Sequence, residues 1–449
     1  MKQNSIWVRG WLLVFLLTCG LGTMKAYGAA DGWSLQQDGW YYYYDGSLIT
    51  NEWRKGESGD WYYLDYDGTM VTDSWINSEY YVGSDGAMVR EDWKYIYRPG
   101  EDPNDVEGEE GWFYFLGTGK CVSDTWKKIN GKWYHFEEDG AMSYGWFDDG
   151  RYYLGDANDG VMKSGWMYLE DEEELFPNLG ESWYWFGNNG EKACDIVDKK
   201  IAGKYYSFDK GGRMLCGWVD VTNLLMDGED GASPQFEDYQ YYNLEDGSRV
   251  TGWRQLSGPA NCFGSGADTA WYYFKNGKPC FAEEGQELAI KTINGQRYCF
   301  NEYGEMQYGL QEILRADQNG EEEPGVYYFG KEGDGVMKTG KQNVYDEEEG
   351  GNFIYYFETS GTMKGRGLTG IRDGCVYLDG KRLDADKHAR YQVVTNGEVT
   401  RLVNTSGKIQ KASGIRNKTL KDSDGNSFTV DEDGEIVSEL PAGYTVKGE

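Results

Sequence analysis

Apolar positions in this chain come in short bursts separated by polar turns, and the bursts repeat. The clearest run is Thr125-Trp126, Trp133-Tyr134-His135-Phe136 and Gly140-Ala141-Met142, then Gly145-Trp146, Tyr152-Tyr153-Leu154, Gly160-Val161-Met162 and Gly165-Trp166. Each unit reads Gly-Trp, polar turn, aromatic triplet, Gly-x-Met, with a period of about twenty residues. A fixed period of that length marks an array whose units bury apolar surface only against their neighbours. Inside a unit the period is two: Trp61 and Tyr63 fall on one face and Tyr62 on the other. Asp67-Gly68, Asp85-Gly86, Asn130-Gly131 and Asp139-Gly140 supply the positive φ of tight turns. Each unit is therefore expected to be a β-hairpin, with Gly-Trp on the first strand and the triplet on the second. The predicted fold is all-β, a solenoid of stacked β-hairpin repeats with long polar loop insertions.

First-strand markers run Trp33, Trp53, Trp75, Trp93, Trp126, Trp146, Trp166, a weaker Ile196-Val197, Trp218 and Trp253, then fade to Ile290 and Leu310. Second-strand aromatics follow at Trp40, Trp61, Tyr80, Trp112, Trp133, Tyr152, Trp183, Tyr205, Tyr241, Trp271, Tyr298, Tyr327 and Tyr355, and methionines such as Met70, Met88, Met142, Met162 and Met214 close the units. Polar insertions at 97–111, 170–182, 221–238, 257–270 and 316–325 are rich in Asp, Glu, Gly and Pro and read as solvated loops. Trp271 is the last tryptophan, yet Asn426-Ser427-Phe428-Thr429-Val430 and Gly434-Glu435-Ile436 keep the order turn, strand, Gly-x-apolar. The expected organisation is a signal peptide over 1–28, Trp-rich repeats over 29–275, Trp-free divergent repeats over 276–380, and degenerate β-repeats or a cap over 381–449.

Composition sharpens this picture. The chain has 449 residues with 64 Gly and 37 Tyr, aromatics make up 16%, and mean hydropathy is −0.72. Its apolar mass is aromatic and arrives in separate triplets, which suits small stacked units better than one large core. A net charge of −32 repels nucleic acid and anionic lipid and is compatible with quaternary ammonium groups or sugars. The same acids also keep an aromatic-rich rod in solution. Lys2 and Arg9 precede the apolar run from Trp11 to Leu17, and Ala26-Tyr27-Gly28 has the small-x-small form of an export cleavage site. No later apolar stretch has the length of a membrane span. The cysteines are scattered, and Cys121 stands where neighbouring units place Met, which reads as apolar filling. Acidic loops such as Gly100-Glu101-Asp102-Pro103-Asn104-Asp105 lack an EF-hand pattern. No Cys/His spacing suits zinc, and no cofactor motif is present.

Tryptophans and a tyrosine converging from adjacent strands make an electron-rich box. A quaternary ammonium inside it gains about 0.5–2 kcal/mol per ring. A sugar could stack on the same faces. Many weak sites on one chain, meeting a polymer that repeats its ligand, multiply affinity through effective concentration. For the inward-facing members, such as the central Tyr of each triplet, core packing outweighs ligand contact as the expected role. Outward tryptophan is harder to explain that way, since hairpins beyond Trp271 persist with Tyr, Val and Ile.

The units Gly-Trp, Trp-Tyr-Tyr-Leu/Phe, Gly-x-Met resemble the choline-binding, or cell-wall-binding, repeats of Gram-positive surface proteins, over roughly residues 31–375 and most strongly 31–275. Related repeats occur in glucan-binding regions of streptococcal glucosyltransferases and in carbohydrate-binding tails of clostridial toxins. The resemblance implies choline held between consecutive hairpins by a first-strand Trp, a second-strand aromatic and an aromatic of the next unit, with Met nearby. On that basis the candidate pairs are Trp33 with Trp40, Trp53 with Trp61, Trp126 with Trp133, Trp93 with Trp112, Trp166 with Trp183 and Trp253 with Trp271. In Trp75 with Tyr80, Trp146 with Tyr152 and Trp218 with Tyr241, Tyr replaces the second Trp. Met70, Met88, Met142 and Met162 support the boxes. Repeats and insertions fill the chain from Asp31 on, without a nucleophile elbow, phosphate loop or metal motif. Acid runs such as Glu172-Glu173-Glu174 read as solvated loops. The expectation is a secreted, non-catalytic protein that binds choline on a cell-wall polymer (teichoic acid). A carbohydrate adhesin and a structural rod of a surface complex stand as alternatives.

Overall fold

The computed structural model describes residues 30–101, 108–171, 180–224, 235–259, 269–283, 285–314, 323–346 and 349–448. The expected signal segment, Asp102–Asp105 and most of the polar insertions lie outside the described residues. The fold is all-β. Among the described residues the helical elements are one turn at Val221–Leu224 and a 3-10 turn at Phe236–Asp238. Contact clustering divides the chain into two compact units: 1–165 with 186–191, and 166–185 with 192–449.

The first unit is a succession of antiparallel hairpins. Gly32–Leu35 pairs with Trp40–Tyr44, Glu52–Lys55 with Trp61–Leu64, and Ser74–Ile76 with Tyr80–Val82. Asp92–Tyr97 pairs with Glu110–Phe115, Thr125–Ile129 with Lys132–Phe136, and Trp146–Phe147 with Tyr152–Tyr153. In the second unit the same design continues at Ile196–Ile201 with Lys204–Phe208, Gly217–Asp220 with Tyr239–Tyr242, and Gly252–Leu256 with Ala270–Lys275. It persists without tryptophan at Leu288–Ile293 with Gln296–Asn301 and at Leu310–Ile313 with Gly325–Tyr328. Among the described residues three hairpins gain a short third strand, and one sheet has five: Gly340–Asp346, Gly351–Phe357, Lys381–Arg382, Cys375–Leu378 and Gly370–Arg372, in that order.

Register sorts the aromatic residues into two faces. Trp53 lies opposite Tyr63, Lys55 opposite Trp61, and Arg54 opposite Tyr62. Alternation therefore puts Trp53, Trp61 and Tyr63 on one face, and Tyr62 with Leu64 on the other. The second face is the buried one: Leu64, Phe113, Phe115, Phe136, Phe208, Phe274 and Phe300 have no exposed surface. Each hairpin thus covers its inner face with the tryptophan-bearing face of the hairpin before it. Beyond residue 390 the core changes character and is built from Val393, Leu402, Phe428, Val430 and Val446.

Successive hairpins are also tied by main chain. The Met position of one repeat donates its N–H to a second-strand carbonyl of the preceding hairpin: Met70 to Trp40, Met88 to Trp61, Met142 to Trp112 and Met162 to Trp133, at 2.7–2.9 Å. The methionine side chain then runs onto the turn glycine of the following repeat. A Cβ on Gly86 would lie 2.6 Å from Met70 Cε. That glycine is needed twice over, because its φ of +79° also disfavours any side chain.

Candidate functional site

The first strand enters through a left-handed corner (Asn51, Asp73, Asp124, Gly145 and Gly165 all have positive φ) and presents its tryptophan at the junction with the next hairpin. Trp33 meets Tyr42 across its own hairpin at 5.3 Å and Tyr62 of the next at 5.4 Å, both edge to face. Trp53 meets Tyr63 at 5.2 Å and Tyr80 of the next hairpin at 5.6 Å. Trp93 lies between Tyr114 and Tyr134, Trp126 between His135 and Tyr152, Trp166 between Trp185 and Tyr206, and Trp253 between Tyr273 and Tyr298, with centroids 4.7–5.3 Å apart. These steeply inclined pairs, with ring planes 56–78° apart, suit the ring quadrupoles, at about 0.5–1.5 kcal/mol each beyond area burial. Every first-strand tryptophan is half-buried by them.

The second tryptophan of each Trp–Trp pair has a different role. Register sets Trp40 opposite Leu35, Trp61 opposite Lys55, Trp133 opposite Lys128 and Trp271 opposite Gln255. It therefore shares a face with the first-strand Trp but lies diagonally from it, toward the hairpin tip. Trp40, Trp61, Trp133, Trp183 and Trp271 are 37–44% exposed. Trp183 stands 6.4 Å from Trp166, ring edge to face. Trp112 is half-buried, with Tyr95 at 5.3 Å. The resulting slot has a deep wall (first-strand Trp), an open wall (second-strand Trp) and a wall from the next hairpin. Tyr62, Tyr80, Tyr134, Tyr152, Tyr206 and Tyr298 supply the third wall. Met70, Met88, Met142 and Met162 reach the slots through the main-chain bonds to the open-wall tryptophans, while their side chains fill the turn-glycine grooves.

Three pairs are arranged otherwise. Tyr80 lies opposite Ile76 and Tyr152 opposite Phe147, so each faces away from its own Trp75 or Trp146 and serves the preceding slot instead. Glu79 takes the open-wall place beside Trp75: its carbonyl accepts the bond from Cys121 N–H at 2.7 Å. Arg151 takes it beside Trp146, with its guanidinium over Tyr152. Tyr241 does lie opposite Trp218, 5.2 Å away, but it is buried and stacked on Phe274 in a closed cluster with Tyr272. The third-wall tyrosines and the Glu79 and Arg151 substitutions carry one readable signal: counting back from the strand pairing, an odd offset reverses the face.

The electrostatics inside these junctions are mild. Burial lowers the pKa of His135 against the opposing pull of Asp124, Glu137 and Asp148. Burial pushes the Cys121 thiol up to about 12, as for an inert filler. Cys121, Cys194, Cys216, Cys280 and Cys375 form no disulfide. Among the described residues no three His, Cys, Asp or Glu side chains cluster as metal ligands, and no helix is long and apolar enough to cross a membrane.

Residues 47–88 and 122–166, which include the slot walls Trp53, Trp61, Trp126 and Trp133, match family models of the choline-binding repeat. The chain carries choline-binding repeats. Relatives place the repeat in larger proteins. A Streptococcus pneumoniae protein named as an endo-beta-N-acetylglucosaminidase is 29% identical over 114 residues, which is 25% of this chain and 14% of the relative. Glucosyltransferase-S of Streptococcus mutans is 26% identical over 240 residues, 52% of this chain and 13% of the relative. The chain thus spans about one seventh of these relatives' length. Among solved structures, the modular autolysin LytC of Streptococcus pneumoniae is similar at 24% identity and a TM-score of 0.39, over 62% of this chain and 52% of that one. The choline-binding domain of CbpL from the same species is similar at 26% identity and a TM-score of 0.31, over 43% and 91%.

Proposed function

We propose that this chain is a secreted, non-catalytic protein of the cell surface that binds choline on a cell-wall polymer, teichoic acid, through many slots at once. What supports the reading is a set of six junctions where a first-strand tryptophan packs on a tyrosine of the next hairpin and shares its face with a second-strand tryptophan: Trp33/Trp40/Tyr62, Trp53/Trp61/Tyr80, Trp93/Trp112/Tyr134, Trp126/Trp133/Tyr152, Trp166/Trp183/Tyr206 and Trp253/Trp271/Tyr298. A trimethylammonium group has no N–H to satisfy and sheds water cheaply, and three ring faces at about 0.5–2 kcal/mol each supply about 1.5–6 kcal/mol, a range that brackets the roughly 4 kcal/mol of a millimolar site. Repetition on a polymer then raises the apparent affinity by orders of magnitude. In this reading the hairpins wind as a solenoid. Residues 29–275 hold the ligand, 276–380 extend the array without it, and 381–449 cap it. Residues 1–28 direct export, and attachment to the wall comes from binding.

A carbohydrate ligand is the second reading, supported by a cleft of about 1160 Å³ in the second unit. Exposed Trp271, Tyr308 and Tyr345 line it together with Gln255, Glu312 and Glu332, a mixture of stacking rings and hydroxyl acceptors. Retention on a resin of choline-like tertiary amines, with elution by free choline, tests the first reading. Passage through that resin with retention on dextran or mucin replaces it with the second. Passage through all of them leaves a structural rod.

A further inference from the structure

Between Trp33 and Trp253 one repeat has no tryptophan on its first strand, Ile196–Ile201. Ile196–Ile201 carries a register break between Ile196 and Lys199. The break places Asp198, at φ +59°, beside Ser207, whose Oγ accepts the Asp198 N–H at 3.0 Å. Ser207 occupies the place that His135 has in its own hairpin, so Asp198 stands where Trp126 would. Tyr205 has the open-wall place, since its carbonyl accepts the inter-repeat bond at 2.8 Å. The donor of that bond is Arg249 N–H, so Arg249 occupies the methionine position. Its side-chain stem runs onto Gly277, where a Cβ would lie 2.7 Å from Arg249 Cγ, as Met214 runs onto Gly247 one repeat earlier. The guanidinium then lies over the Tyr205 ring, 4.2 Å from its centroid, and Nη1 donates to Asp198 Oδ2 at 2.6 Å. The buried Tyr242 hydroxyl closes the group by donating to Asp198 Oδ1 at 2.9 Å and accepting from Ser207 Oγ at 2.7 Å.

We infer that this junction is a slot occupied by the chain's own cation, in which Arg249 takes the ring face and the charge partner that an ammonium ligand would otherwise use. It rests on the reading of the aromatic slots as cation sites. Arg249 and Asp198 then act as specificity-determining residues: they exclude choline from one rung while holding two hairpins together by the forces that elsewhere hold the ligand. A planar guanidinium suits both tasks, since it stacks on a ring and pairs with a carboxylate at once.

The experiment is choline binding by isothermal titration to the full chain, wild type against Arg249→Met, the residue type that fits the same glycine groove in neighbouring repeats. Arg249→Met should bind one more equivalent of choline than wild type, and Arg249→Met with Asp198→Asn should lose that equivalent. An unchanged stoichiometry in a folded Arg249→Met protein overturns the inference, whereas a wild type that binds no choline overturns the functional reading instead. A second readout is independent of choline. Arg249→Ala should lower the melting temperature, and methylguanidinium should restore it more than sodium chloride at equal ionic strength. Equal effects of the two salts count against a built cation site.

Discussion

Directly across from the first-strand tryptophan stand Tyr42, Tyr63, Tyr81, Tyr114 and Tyr153, and in one hairpin His135. The imidazole lies 5.2 Å from Trp126 and 4.1 Å from Phe147 of the next hairpin, and its Nδ1 meets Ser143 Oγ at 2.9 Å. Asp124, Glu137 and Asp148 face it with negative charge, and Arg151 lies on the adjoining Tyr152. Burial still lowers its pKa below the ordinary 6.5. A base with a depressed folded pKa contributes stability that is complete above 6.5 and is lost as pH falls through the folded value. Protonation also puts a positive charge beside the slot that Trp126, Trp133 and Tyr152 form, so choline there should weaken over the same interval. Only His135 and His388 are histidines, which makes the imidazole protons simple to follow by NMR. Saturating choline should lower the His135 pKa further. His135→Tyr should remove the acid-sensitive part of the melting curve. A His135 titration indifferent to choline would separate this ring from the site.

At the scale of the hairpin, the turn glycine and the preceding methionine form one device. Gly86 and Gly131 share nearly the same backbone, φ +79° and +86°, but only Gly86 has a methionine against it; nothing lies within 4 Å of a Cβ built on Gly131. Alanine at either position strains the turn by about 1 kcal/mol. Gly86→Ala must in addition displace Met70, so its melting temperature should fall well below that of Gly131→Ala, and Met70→Ala in the same chain should recover part of the difference. Equal losses would mean that the Met–Gly contact adds nothing. The hairpin, its turns and the face parity of Trp61, Tyr62 and Tyr63 were legible in the sequence because period-two alternation and Asp-Gly pairs are local signals. The family resemblance pairs Trp33 with Trp40 and Trp53 with Trp61, and strand register puts the members of each pair on one face of their hairpin. What escaped the sequence was set by loop length. The three residues between Ile76 and Tyr80, against five between Lys55 and Trp61, put Glu79 at the open wall and turn Tyr80 to the preceding slot. The bulge at Asp198 likewise left no mark except a missing tryptophan.

At the scale of the whole molecule, a net charge of −32 sets the sign of every long-range interaction. Among the described residues some of these acids stand near the slots, as Asp159 does to Tyr134 and Asp334 to Tyr298, and they keep the slots attractive to a cation at short range. The proposed polymer carries choline on a backbone of phosphodiesters, so approach is repulsive at distances where the two chains meet as net anions. Salt screens that repulsion over about 10 Å at 0.1 M, while the ring–ammonium contact, at under 6 Å and partly buried, is screened much less. The usual salt dependence of a charged ligand is therefore reversed. Retention on a choline-bearing phosphate polymer should strengthen as salt rises from about 10 to 150 mM, whereas retention on a neutral matrix bearing choline alone should stay flat or weaken slightly. Association rate is the sensitive measurement, since screening acts on encounter while the slots govern release. A polymer whose capture slows with added salt would show that the acidic surface attracts it, and would point to a cationic partner in place of an anionic wall polymer.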